Sequence, residues 1–134
     1  MNRKIIIHEV IERLVESKVK FIVIGGFAKY LHGIDTQIKD LDFFIPQQFN
    51  SSEMVLNLLE LFDRNLKLKA YNFTRIIRIN YKTIKIDLLP KLDGINNEFA
   101  FLNAEEIMFQ HNAIKILRLQ DIEQNIQHVK NQII

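Results

Sequence analysis

The feature that most constrains this chain is the run Lys20-Phe21-Ile22-Val23-Ile24, which stops at Gly25-Gly26. A short β-branched and aromatic stretch bounded by glycine reads as a buried strand, since it is too short for a helix. Upstream, Ile7, Val10, Ile11, Leu14 and Val15 recur at helical spacing with Glu9, Glu12, Arg13 and Glu16 between them, giving an amphipathic helix over about 4–17. Downstream, Phe27–Leu31 reads as a short helix stopped near Gly33, and Asp40–Ile45 as a second strand ended by Pro46. Asn50-Ser51-Ser52-Glu53 has capping-box spacing, and Met54, Val55, Leu58, Leu59, Leu61 and Phe62 give the following helix an apolar face. Residues 67–90 read as strands with tight turns, Phe73–Ile79 and Thr83–Leu89 forming a hairpin closed around Asn80-Tyr81-Lys82. The spacing then predicts a helix over Ala104–Gln110, a strand over Ala113–Leu117 and a final helix over Leu119–Ile133. Helices and strands alternate as α-β-α-β-α-β-β-α-β-α, an α/β (α+β) pattern.

A chain of 134 residues, 48% apolar and 25% charged, is one globular domain by size and composition, and the whole of 1–134 is expected to form it. With no cysteine there is no disulfide, no thiolate metal site and no cysteine nucleophile. The apolar runs are far shorter than the roughly 20 residues that cross a bilayer, so no membrane association and a cytoplasmic location are expected. The net charge of +2 hides an asymmetry. Between Arg64 and Lys91 there are eight basic residues and one acid, a local net of +7, and the remainder of the chain is acidic. Such a segment points to an anionic partner such as phosphate or nucleic acid. With 22 isoleucines, 12 asparagines and 12 lysines, an AT-rich coding bias is the competing explanation.

Aspartate is depleted in strands, yet Asp40 and Asp42 sit in Lys39-Asp40-Leu41-Asp42-Phe43 and Asp87 in Ile84-Lys85-Ile86-Asp87-Leu88. On a strand, the i, i+2 spacing places Asp40 and Asp42 on one face. Asp87 faces away from the apolar side of its own strand. If the two strands pair, three carboxylates converge, and their repulsion favours a hard divalent cation such as Mg²⁺. Gly25-Gly26, between strand and helix, leaves backbone amides open to phosphate oxygens. The alternative is that each aspartate is an independent solvent-face residue and the glycines a tight connection. By spacing, Arg75 and Arg78 fall on opposite faces of a strand, so at most one points at such a site. His32 reads as a helix C-cap.

Ile24-Gly25-Gly26-Phe27-Ala28, then Leu31-His32-Gly33, then Lys39-Asp40-Leu41-Asp42-Phe43 resembles the DNA polymerase β-like nucleotidyltransferase superfamily, most closely its small stand-alone bacterial members of toxin–antitoxin and abortive-infection type. The resemblance implies a mixed β-sheet flanked by helices, two Mg²⁺ ions (or Mn²⁺), and transfer of a nucleoside monophosphate from an NTP. It implies that Asp40 and Asp42 ligate the ions holding the triphosphate. Asp87 would bind the second ion and help deprotonate the acceptor hydroxyl. Gly25 and Gly26 would cradle phosphates, with Lys39 beside them. The acceptor is left open among RNA, a protein and a small molecule, and an oligomer or partner subunit could complete the open side of the cleft.

The chain departs from related small enzymes at Thr36 and Ile38, where an arginine and a threonine or serine are common. Its C-terminal helix offers Asp121, Glu123, Gln124, Asn125 and Gln127 in place of the usual lysine and aspartate. These departures bear on triphosphate grip and turnover rather than on metal binding. Two further readings follow: a catalytically weak regulatory or antitoxin-like module, and a nucleic-acid-binding domain built on residues 64–91.

Overall fold

The computed structural model describes residues 2–35, 37–47 and 51–133. The departure at Thr36 and the capping residue Asn50 lie outside the described residues. Six strands form one mixed sheet: β1 (Ile22–Ile24), β2 (Leu41–Phe44), β3 (Ile77–Tyr81), β4 (Ile84–Leu89), β5 (Glu105–Phe109) and β6 (Asn112–Ile116), in the order β3-β4-β2-β1-β6-β5. The helices are α1 (Arg3–Glu16), α2 (Gly25–Leu31), α3 (Ser51–Phe62), α4 (Lys67–Tyr71), α5 (Asn97–Asn103) and α6 (Leu119–Ile133). The expected α+β architecture, a mixed sheet flanked by helices, is the observed one.

The centre of the sheet is the antiparallel pair β1–β2, with Ile24 opposite Asp42 and Ile22 opposite Phe44. β4 adds in parallel to β2 and β6 in parallel to β1. Every residue of β1 is buried, as its unbroken apolar run requires. In β2 only Asp42 escapes full burial, so the strand is apolar except where it faces the site. α1 fits its periodicity: Ile6, Ile7, Val10, Ile11 and Leu14 are buried, and the Asn2 side chain accepts a bond from the Lys4 amide at 2.9 Å as N-cap. Phe21 meets Phe43 edge-on at 5.6 Å and Phe27 meets Phe109 at 5.5 Å, so aromatic contacts join the residue leading into β1 to β2 and α2 to the edge strand.

Four segments differ from the sequence expectation. The hairpin is shifted: β3 covers Ile77–Tyr81 rather than Phe73–Ile79, so Asn80 and Tyr81 are paired strand residues and Lys82-Thr83 make the turn. Residues 67–72 are not strand. The Asp63 side chain caps a 3-10 turn over Arg64–Leu66 by accepting from the Asn65 amide at 2.9 Å, and α4 follows it. The apparent alternation Lys67-Leu68-Lys69-Ala70 misleads because Leu68 is 85% exposed while Ala70 is buried, facing the core one turn after Leu66. Residues 104–110 are not a helix but β5, paired with β6 through a two-residue turn in which Gln110 takes φ 55°. As the outermost strand it carries Glu105, Glu106 and Met108 outward, so its pattern lacks strand character. α5 forms from residues assigned to no element, its N-terminus capped by Asn96, whose side chain accepts from the Phe99 amide at 3.0 Å.

Candidate functional site

β1 ends at Ile24, and the chain turns at once into α2. The turn needs Gly25: its φ is +64°, and a Cβ there would run into the Asp42 carboxylate. Gly25 is therefore the backbone wall against which Asp42 rests. Gly26 is different. It has helical geometry, and a Cβ on it would meet nothing within 4 Å, so its bareness serves no packing need. It lines a cleft of about 390 Å³ together with Asp35, Gln37, Lys39, Asp40 and Asp42.

Asp40 lies one residue before β2 and is exposed, while Asp42 lies within the strand and is half-buried. The parallel register places Asp42 directly opposite Asp87, and Arg78 opposite Asp87 on the other side. Asp87 Oδ1 is buried and accepts no hydrogen bond; Arg78 Nε stands 3.7 Å from it. Burial, reinforced by the Asp87 and Asp40 charges, pushes the Asp42 carboxyl up to about 6. Burial also raises Asp87, although Arg78 and Lys85 oppose the shift. Two adjacent carboxylates with raised proton affinity, one with an oxygen that accepts no hydrogen bond, form a donor set suited to a hard cation. Mg²⁺ needs only one or two protein carboxylates when water and substrate phosphates complete its shell, so the pair fits it. Among the described residues no three His, Cys, Asp or Glu side chains form a metal-holding group. Asp40 therefore stands at the cleft as a charged neighbour of the pair rather than as a third member of a preformed cage.

The structure thus gathers Gly26, Lys39, Asp40 and Asp42 on one cleft, sets Gly25 behind Asp42 and Asp87 beside it. Three further residues escaped the sequence reading. Asp35 and Gln37 line the cleft from an irregular segment whose pattern carries no signal. Arg3, at the start of α1, donates from Nη2 to the carbonyls of Ile38, at 2.8 Å, and of Lys39, holding the backbone that leads into Asp40. Arg75 and Arg78 do not oppose each other as expected. β3 begins at Ile77, so Arg75 precedes the strand, and both arginines line one groove. His32 occupies the C-cap of α2, and its Nε2 donates to the Leu117 carbonyl at 2.7 Å, tying α2 to the end of β6.

The polar residues of α6 are mostly engaged in structure. Asp121 is buried and accepts from Arg118 Nε at 2.8 Å. Gln124 and Asn125 donate to the carbonyls of Gly94 and Asp93, both at 2.7 Å, clamping the loop after β4. Among the described residues no helix is long and apolar enough to cross a membrane.

No family model and no curated protein matches the sequence. The fold does have a counterpart: the chain is similar to the crystal structure of a "putative nucleotidyltransferase" from Thermotoga maritima, with TM-score 0.70 over 98% of this chain and 89% of that one, at 14% identity. The fold is accordingly nucleotidyltransferase-like, a mixed six-stranded sheet with flanking helices.

Proposed function

We propose that this protein is a metal-dependent nucleotidyltransferase of the DNA polymerase β-like superfamily, moving a nucleoside monophosphate from an NTP to a hydroxyl acceptor. The observation that carries the reading is the Asp42–Asp87 register pair, packed against the positive-φ Gly25 and beside an open cleft floored by bare Gly26. Asp42 and Asp87, with Asp40 at the cleft, would hold Mg²⁺ or Mn²⁺. Bound there, the ions would neutralise phosphate charge and polarise the α-phosphorus. Gly26 lets the triphosphate approach the α2 backbone, whose first amides lack partners within the helix, and Lys39 adds a positive charge at the same cleft.

Asp87, in register with Asp42 beside the cleft, would also be placed to take the acceptor's proton. The acceptor oxygen then bonds to the α-phosphorus as the bond to the β-phosphate breaks, and pyrophosphate leaves. Incubation with each of the four α-labelled NTPs, Mg²⁺ and a pool of RNA and protein acceptors tests this. Label transferred by the wild type and lost in Asp42→Asn supports the reading. No transfer with any NTP, together with no Mg²⁺-dependent NTP binding, overturns it. Binding without transfer would favour the regulatory or antitoxin-like module.

A further inference from the structure

At the end of the sheet away from β4, a groove of about 540 Å³ opens between the C-terminal end of α1, β6 and α5. Its lining is mainly apolar: Val19, Phe21, Met54 and Ile114 contribute, and Phe101 brings in α5 as one wall. Lys18, Lys20 and Lys115 also line it, and among the described residues no acid does. Lys115 lies over the Phe101 ring at 5.1 Å, but none of the three lysines makes an ion pair among the described residues. The apolar surface continues onto β5, where Met108, paired with the groove-lining Ala113, is 66% exposed.

α5 carries the complementary surface. Its Ala100 is buried, while Glu98, Phe99 and Leu102 are exposed, the last two at 60% and 65%. At helical spacing these three share the side opposite Ala100, with Glu98 and Leu102 one turn apart. Glu105 follows at the start of β5, exposed and, like Glu98, without an ion pair among the described residues. One chain therefore holds an apolar groove bordered by lysines and, beside it, an apolar helix face bordered by glutamates. α5 does not fill its own groove with this face, because it meets the groove through Phe101. Contiguous apolar surface rimmed by charge marks an interaction site, and a copy bearing both halves suits a self-complementary two-fold contact.

We propose that the groove is filled by the α5 face of a second copy of this chain, in a symmetric dimer. Phe99 and Leu102 of each protomer enter the groove of the other, and Glu98 and Glu105 lie against Lys18 and Lys20. An acidic helix from a different protein would match the groove but leave Phe99 and Leu102 in water; the two-fold pairing covers both halves. The dimer is independent of the nucleotidyltransferase reading, since this end of the sheet carries neither Asp42 nor Asp87.

The test is sedimentation velocity over about 1–100 µM protein, where an association of ordinary strength changes from monomer to dimer. Wild type should reach twice the chain mass, and salt should weaken the association by screening the charges. Lys18→Glu with Lys20→Glu, and separately Glu98→Lys with Glu105→Lys, should each weaken it about tenfold or more through like-charge contacts. All four side chains are exposed, so both variants should still unfold cooperatively. Mixing the two variants should restore association to within about threefold of wild type, because every contact then joins opposite charges. Phe99→Ser should dissociate the dimer without loss of the fold. Four results would overturn the proposal: a wild type that stays monomeric, dimers indifferent to both charge reversals, a mixture no stronger than its components, or a mass that climbs past two chains. A wild-type monomer that instead captures a labelled synthetic helix of glutamate, leucine and phenylalanine through Lys18 and Lys20 would assign the groove to another protein and exclude the second copy.

Discussion

Each end of the sheet is built the same way. β3–β4 and β5–β6 are antiparallel hairpins, each closed by a two-residue turn whose first residue, Lys82 or Gln110, takes φ 55°. In each, the inner strand docks parallel to the central pair, β4 on β2 and β6 on β1. The ends differ in what the inner strands carry. β4 places Asp87 against Asp42, while the matching outward position on β6 is Lys115, opposite Glu106 and over the Phe101 ring at 5.1 Å. Their flanks differ too: the β3 side is a basic groove, and the β5 side presents Glu105, Glu106 and exposed Met108, with Phe99 and Leu102 on α5. One architecture therefore serves twice, and on the proposed reading chemistry is added to one copy by a single strand residue and by the Gly25 turn beside it. The comparison predicts that disturbing the Gly25–Asp42–Asp87 corner affects function and stability in separable ways, whereas the β5–β6 end affects stability alone.

The largest effect is expected at Gly25. Gly25→Val forces a branched side chain into φ +64° and into the Asp42 carboxylate. Backbone strain and overpacking together should destabilise the fold by about 3 kcal/mol, measured by urea denaturation. Gly26→Val meets open space and should leave stability within about 0.5 kcal/mol while weakening NTP binding far more than Mg²⁺ binding. Equal stability losses in the two variants would break the distinction between a glycine needed by the fold and one needed by the cleft.

Next comes Asp42. A carboxyl whose pKa rises on folding holds its proton more tightly in the folded state, so its ionisation opposes folding. The penalty is absent below the ordinary value of 3.8, grows as pH rises to about 6, and is constant above that. Allowing for partial solvent screening, it amounts to about 2 kcal/mol. Asp42→Asn should therefore be more stable than wild type by about that amount at pH 7 without divalent ions, with the difference vanishing near pH 4. Lys115→Gln, at the matching end of the sheet, should show no such pH-dependent gain. A wild-type stability curve parallel to that of Asp42→Asn across this range would remove the argument from burial and repulsion.

These contrasts also explain what could be read from sequence. The strand–Gly-Gly–helix corner and both aspartate-bearing strands were legible because each is a local pattern: a β-branched run, a glycine stop, an acid where strands avoid acids. The edge elements were not, because exposure decides them. Residues 67–72 read as strand until the fold sets Leu68 in water and Ala70 in the core, and β5 has too few buried positions to show a period of two. The reach of Arg3 to residues 38–39 depends on contacts between distant parts of the chain, which no local spacing encodes. Gly25 and Gly26, identical in sequence, acquire opposite roles only through the placement of Asp42.

The smallest predicted effect separates the two hairpin turns. The β3–β4 turn is fastened to α1, since Glu9 accepts from Lys82 Nζ at 2.7 Å and also pairs with Arg13 at 3.3 Å. Lys82 and Arg13 both lie over the Tyr81 ring, at 5.2 and 5.8 Å, and Tyr81 in turn packs on Phe62 at 4.8 Å. The hydrogen bond from Lys82, supported by Tyr81 and Arg13, holds the Glu9 carboxyl down at about 2, below its ordinary 4.5. A depressed acid contributes stability above pH 4.5 and loses it as pH falls through 2. Because the pair is solvent-accessible, Glu9→Gln should cost only about 0.5 kcal/mol at pH 7. Its signature is local: hydrogen exchange at Lys82 and Thr83 should quicken severalfold, while Gln110 and His111, whose turn has no ion pair to a helix among the described residues, should exchange as before. Raising salt should erase the difference between wild type and variant, as expected for a screened surface pair. If both turns quickened together, the hairpins would be coupled through the sheet, and the site end could not be treated as independently anchored.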